Sequence, residues 1–253
     1  MAKQDQRQPR LKPSRGSASL LEDQHLIPDT HVDLGPYRLR FARTLDDLAM
    51  VRRLRYAVFN VELGKGLAGS HQTGVDADAF DRQCQHLMVL ERETGAAVGT
   101  YRMQTAAAAR AGHGWYTAGE FELGEMPDEA LETAAELGRA CVAGAHRDKT
   151  VLFLLWHGLI KYAQHTGIKA FFGCSSLTGT DPKPAVALYA QLLREHKVHP
   201  ELKAPPRLAM ACPLVSWPDR DEAERVEVPK LFATYLRHGG LVLGPPAVDH
   251  EFG

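Results

Sequence analysis

Residues 150–165 form the strongest helix signal in the chain. Leu152, Leu155, Trp156, Leu159 and Ile160 recur at three- and four-residue spacing, and Gly167 follows where a helix cap belongs. Strand-like runs stand on either side, 136–142 before it and 168–174 after it. A chain built around that core is neither a helical bundle nor an all-β sandwich.

The remaining elements fit the same mixed architecture. Tyr37, Leu39 and Phe41 alternate with Arg38 and Arg40, the period of a half-buried strand, and folded structure is expected to begin there. Thr44 with Asp47 three residues on reads as a capping box opening a helix whose Leu48, Val51, Val58 and Phe59 share one face. Strands at 86–90 and 97–103, joined through Glu93-Thr94-Gly95, read as a hairpin. Helices are expected at 106–109, from Pro127, and at 184–196, with a short strand at 208–212. A last helix closes at Gly239-Gly240. The order predicts an α+β fold with one sheet. Residues 36–253 are read as a single domain with a helical extension over about 216–253, and 1–35 as an unstructured basic arm.

Composition narrows the function. Net charge is −1 over 253 residues, unlike the strongly basic surface of a general nucleic-acid binder. No apolar run approaches the roughly 20 residues that span a bilayer. The first 18 residues are polar and basic, without the apolar stretch that export requires, so the expected location is cytoplasmic. Within residues 1–15 five basic side chains face one acid, Asp5. The arm reads either as a solvated tail or as a weak contact with the anionic inner membrane surface. Cys84, Cys141, Cys174 and Cys212 are scattered, and the twelve His form no ligand pattern, so no metal is expected.

Four signatures place charge in apolar surroundings: Arg55-Tyr-Ala-Val-Phe59, Asp78-Ala-Phe-Asp81 followed by His86, Gly99-Thr-Tyr-Arg102, and Glu136-Leu-Gly-Arg139. Arg55 falls on the apolar face of its helix, which is costly unless a carboxylate meets it. These groups read either as a structural ion network or as a catalytic cleft.

In this order the motifs resemble the acyl-carrier-protein-dependent branch of the GNAT acyltransferases over about residues 38–215. That branch holds the acyl-homoserine lactone synthases and the N-acyl amino acid synthases that make lyso-ornithine lipids. Leu155-Trp156-His157-Gly158, Phe172-Gly173-Cys174-Ser175-Ser176 and the closing Gly244-Pro245-Pro246-Ala247 are similar to the second group. The resemblance implies a mostly antiparallel sheet with a V-shaped splay between strands 136–142 and 168–174. The phosphopantetheine arm of an acyl carrier protein would lie there, beside Cys141, Val142, Cys174 and Ser175. The helix from about residue 150 would point its N-terminus at the phosphate. CoA-using members carry a glycine-rich loop at that point, and Val142-Ala-Gly-Ala-His-Arg147 matches it poorly. That departure favours a carrier-protein donor, with Arg147 and Lys149 as contacts for phosphate or acidic carrier protein.

The implied reaction is attack of an amino acid's α-amine on the thioester, with no further cofactor. Glu136 is the expected base, with Arg139 and His86 also assigned to the catalytic group. A β-bulge would be needed to bring Arg139 to the face of Glu136. Asp78 and Asp81 suit an amino group, and Arg55 and Arg102, with Phe59, a carboxylate-bearing acceptor. The acceptor expected from the resemblance is ornithine. Lactone synthesis, or acyl binding without catalysis, are the alternatives.

Overall fold

The computed structural model describes residues 24–67, 69–177, 179, 181–212, 226 and 228–249. The alternation in β2 (Tyr37–Phe41) is realised, with Tyr37, Leu39 and Phe41 buried and the two arginines between them half-buried. Structure begins earlier than the sequence indicates. β1 (Val32–Leu34) pairs antiparallel with β2, and Ile27 lies in the main core. No periodicity marks this stretch; its conformation is imposed by the free edge of β2. Residues 1–23 lie outside the described residues, and with them most of the expected arm.

β3 (Gln85–Glu91) and β4 (Ala97–Thr105) form the expected hairpin, Gly95 supplying the left-handed turn residue. With β5 (Ala134–Val142) and β6 (Ala170–Phe172) they make a six-stranded sheet in sequence order. Every neighbouring pair is antiparallel except β5 and β6, which run parallel.

Helices cover both faces. α1 (Leu45–Tyr56) opens on the Thr44–Asp47 capping box and packs Leu48 and Val51 against Met88. Its last turn runs on as a π-helical stretch, Ala57–Glu62, so that Leu54 of α1 and Val58 of the stretch both pack on Cys141 of β5. The short α2 (Ser70–Thr73) follows. α3 (Ala106–Ala111) and α4 (Asp128–Glu132) lie between β4 and β5. On the opposite face, α5 (Lys149–Thr166) buries Val151, Leu154, Leu155, Leu159 and Tyr162 against Leu39, Leu87, Val89, Tyr101 and Met103. Its inward face is rotated from the expected one, leaving Ile160 exposed. The cause is Gly158, where an added Cβ would lie 2.5 Å from Leu87 Cδ2. The helix touches the sheet along that bare edge.

α6 (Pro182–Arg194) and α7 (Lys230–Arg237) share a satellite cluster through Leu188, Leu192 and Leu236. The strand expected at 208–212 is absent. Met210 closes a turn back to Arg207, Ala211 makes only an isolated bridge to Ala247, and Leu208 is exposed. Part of the expected extension, residues 216–225, 227 and 250–253, lies outside the described residues, as do residues 213–215 before it. Among the described residues, no helix is long and apolar enough to cross a membrane.

Two irregularities set up the site. β5 and β6 pair only at Ala134–Ala170, Ala135–Phe171 and Glu136–Phe172, although β5 continues to Val142. Gly173 still presses on β5, where a Cβ would meet the Leu137 carbonyl oxygen at 2.2 Å, and beyond it no further strand pairing joins the two chains among the described residues. The second irregularity lies on the β4 side. Thr100 faces Cys141 and Arg102 faces Gly138, so β5 carries one extra residue there. Arg139 adopts φ +50° within that bulge.

Candidate active site

The bulge does what the Glu136–Arg139 spacing requires. In a regular strand the two side chains would point to opposite faces. The extra residue turns Arg139 onto the α1 side, where Glu136, Arg102 and the segment 76–81 meet.

Arg55, brought down by α1, is fully buried. Its Nε donates to Asp76 Oδ1 at 2.7 Å, and Nη1 and Nη2 donate to the two oxygens of Asp81 at 2.7 and 3.0 Å. Arg52, one turn earlier, donates to Asp81 Oδ2 at 2.8 Å. Arg102 reaches both Asp78 oxygens at 2.6 Å and Asp81 Oδ1 at 3.1 Å. Arg139 completes the cluster, 3.5 Å from Asp76 Oδ2 and 3.4 Å from Asp78 Oδ2. Asp78 and Asp81 are also the two ends of a capping box on the turn Ala79–Arg82, so the loop is shaped by the same carboxylates that hold the arginines. Burial drives the Asp81 carboxyl upward, but the Arg55 guanidinium outweighs it and holds the group well below the usual range. The same contest, decided by Arg102, lowers Asp78.

These distances rank the expected acceptor residues by access. Arg55, Asp76 and Asp81 have no exposed surface and are spent on one another, so Arg55 and Asp81 brace the site rather than touch a substrate. The rim is Asp78, with 13% of its side chain exposed, together with Arg102 and Arg139 at 4% and 5%. The Tyr116 ring covers both arginines, 5.3 Å from the Arg102 guanidinium and 5.7 Å from that of Arg139. Phe59, half-buried in the π-helical stretch, packs beside Leu54, Val58 and Cys141.

His86 does not fit a proton relay near neutral pH. It is fully buried, with Nε2 2.9 Å from the Asp81 carbonyl oxygen and Nδ1 without a hydrogen bond. Burial pushes its pKa down to about 4, so the ring is neutral and braces the turn.

Glu136 is buried, and its carboxylate accepts from Gln104 Nε2, from the Tyr116 amide at 2.9 Å and from the Thr117 amide at 2.6 Å. It pins the segment carrying Tyr116 to the sheet. Glu120, a few residues on, escaped notice in the sequence because no motif surrounds it. Burial raises its carboxyl pKa, and Asp249 adds to the rise; Cys174, Glu136 and Arg139 lie around it. Asp76 was likewise missed, an isolated loop acid identified only by its contact with Arg55.

On the donor side, Cys141 and Val142 lie on the stretch of β5 beyond its pairing with β6. The Cys141 side chain is buried against α1 and its thiol is pushed up to about 12 by burial, so it has only backbone to offer. Cys174 donates its thiol to Thr117 Oγ1 at 3.6 Å, and burial pushes its pKa up strongly, which leaves it a poor nucleophile. Ser175 is exposed beside it. The N-terminus of α5 differs from the expected anion site. Asp148 caps it, accepting from the Val151 amide at 2.9 Å and from Tyr37 Oη at 3.1 Å. Arg147 is tied to Glu62 and donates to the Val142 carbonyl at 3.1 Å. Lys149 is exposed at the helix start. Among the described residues no group of His, Cys, Asp and Glu could hold a metal ion.

A sheet parted between two parallel strands, with an acid–arginine cluster at the parting, defines a GNAT-type acyltransferase, and the Acetyltransferase (GNAT) domain family matches residues 54–157. The chain is 32% identical over 230 residues to the L-ornithine N(alpha)-acyltransferase of Agrobacterium fabrum, covering 87% of this chain and 78% of that one. It is 33% identical over 227 residues to that of Rhodobacter capsulatus, with 85% and 86% covered. The protein belongs to the family of these L-ornithine N(alpha)-acyltransferases. The solved structure of the AHL synthase LasI matches at 15% identity with a TM-score of 0.40, over 62% of this chain and 77% of that one.

Proposed function

We propose that this acyltransferase moves a fatty acyl chain, with or without a 3-hydroxyl, from acyl carrier protein to the α-amine of L-ornithine. The relatives' names support the acceptor. One observation carries the donor: carboxylates occupy the place where a CoA pyrophosphate would bind. Asp148 closes the α5 N-terminus, and Glu62 lies 3.4 Å from where a Cβ of Gly144 would stand. A diphosphate brought there would meet the Asp148 carboxylate at the helix end, beside a Glu62 that already holds Arg147. The single phosphate of a carrier-protein arm demands less.

The thioester arm lies along the unpaired stretch of β5, and the acceptor stands at the rim of Asp78, Arg102 and Arg139. The amine gives up its proton as it attacks the thioester carbon. The tetrahedral oxyanion then collapses, expelling the thiol. Glu136, engaged by three donors, acts as a positioning residue. Glu120, whose carboxyl pKa burial raises and which lies beside Arg139 and Cys174, is the proposed proton acceptor.

The test offers acyl carrier protein and CoA thioesters with an amino-acid mixture and identifies products by mass spectrometry. Nα-acylornithine formed from the carrier-protein donor is expected; equal turnover of the CoA thioester overturns the donor reading. Glu120→Gln should lower kcat by about 10²–10⁴-fold with KM little changed. If Glu136→Gln alone does so, the base is Glu136.

A further inference from the structure

The carboxylates that disfavour a diphosphate leave a phosphate-bearing donor without its usual helix-terminus site, and one cation is placed to take it instead. Lys65 lies in the loop after the π-helical stretch. That loop is fixed to the stretch by the Lys65 amide donating to the Phe59 carbonyl at 2.8 Å and by Asn60 Nδ2 donating to the Leu67 carbonyl at 3.1 Å. Gly66 sits flat against Asn60, at φ +102° with a would-be Cβ 2.7 Å from Oδ1. The tether keeps the lysine aimed in one direction.

That direction crosses the parting of the sheet. The π-helical stretch rests on Cys141 of β5, and its Glu62 reaches Arg147 beyond the strand's end. Lys65 Nζ donates to the carbonyl of Leu177 at 3.1 Å, on the segment that has left β6. The ammonium therefore spans the open end between the two diverging chains. It is half-buried and forms no ion pair with any described carboxylate, whereas all four arginines of the cluster and Arg147 have acidic partners. Burial lowers its pKa with no carboxylate to offset it. Placing a lysine there costs desolvation, which an incoming anion would recover. Lys149 also faces no described carboxylate, but it stands in water, where salt screens it.

We infer that Lys65 binds the phosphate of the donor's phosphopantetheine arm as that arm enters between β5 and β6. This rests on the carrier-protein reading of the donor. The chemistry needed is one phosphate monoanion or dianion on a slender chain.

The experiment compares acyl-phosphopantetheine with acyl-pantetheine, which lacks the phosphate, in the wild type, Lys65→Met and Lys65→Arg. The wild type should show a lower KM for the phosphorylated donor. Lys65→Met should lose about tenfold of that preference, with Lys65→Arg restoring most of it and the ornithine KM unmoved. If the wild type shows no preference, both the phosphate-bearing donor and this assignment fail. If the wild type prefers phosphate and Lys65→Met keeps that preference, only the assignment fails. A rise confined to the ornithine KM also overturns it, by placing Lys65 at the acceptor's carboxylate.

Discussion

His86 has a measurable thermodynamic signature. An unfolded histidine takes up its proton near pH 6.5, whereas the buried ring does so only near pH 4, hemmed in by Arg55 and Arg102. Between those values the unfolded chain binds the extra proton. The stability is therefore complete above about pH 6.5 and is lost as pH falls toward about 4. Thermal melts from pH 7.5 to 4.5 should show a steeper fall in Tm for the wild type than for His86→Gln. Parallel curves would mean that the folded ring titrates as the unfolded one does. Individual residues were legible where chemistry and periodicity conflicted: Arg55 on an apolar face required a carboxylate, and two are present. Lys65, Asp76 and Glu120 carry no such conflict. They lie in loops, and only the tertiary fold gives them neighbours.

Element boundaries were legible where local chemistry fixes them. The Thr44–Asp47 box, the Gly95 turn and the Gly167 cap all fall where the residues indicate. The π-helical stretch was not legible, and the bulge at Arg139 was expected only through the family resemblance, because both arise from how elements meet. An extra residue in β5 registers only against β4, and side-chain spacing does not separate a π turn from an α turn. The same holds at Gly173, whose need for a bare backbone comes from Leu137 across the sheet. Gly173→Ala should push β6 away from β5 at their last contact. A loss of about 2–4 kcal/mol is expected, judged from the 1–3 kcal/mol of typical overpacking and the rigidity of a backbone neighbour. Urea denaturation measures it; a change under 0.5 kcal/mol would show that the strands separate freely there.

At the scale of the molecule, α7 is fastened to the core by a hydroxyl pair. Tyr101 of β4, 1% exposed, meets Tyr235 of α7, and Trp156 of α5 stacks on Tyr235 with ring centroids 6.0 Å apart. Tyr235→Phe strands the buried Tyr101 hydroxyl and should cost about 1–3 kcal/mol. The double variant Tyr101→Phe/Tyr235→Phe should recover most of that loss in calorimetry, still with a single transition. Two transitions would mean the tail melts separately. The α+β class and the motif order were readable from the chain, but this fastening was not, since 134 residues separate its two hydroxyls. The parted strands have a consequence for company as well as for catalysis. Beyond Glu136, β5 is an edge strand set inside a sheet, with backbone groups on one side that no strand among the described residues takes up. An outer edge of that kind invites pairing with a second protein chain. Here β6 and the segment after it flank that edge, and on the proposed donor reading they would leave it to a thin amide-bearing tether rather than to another polypeptide's strand, which carries side chains on both faces.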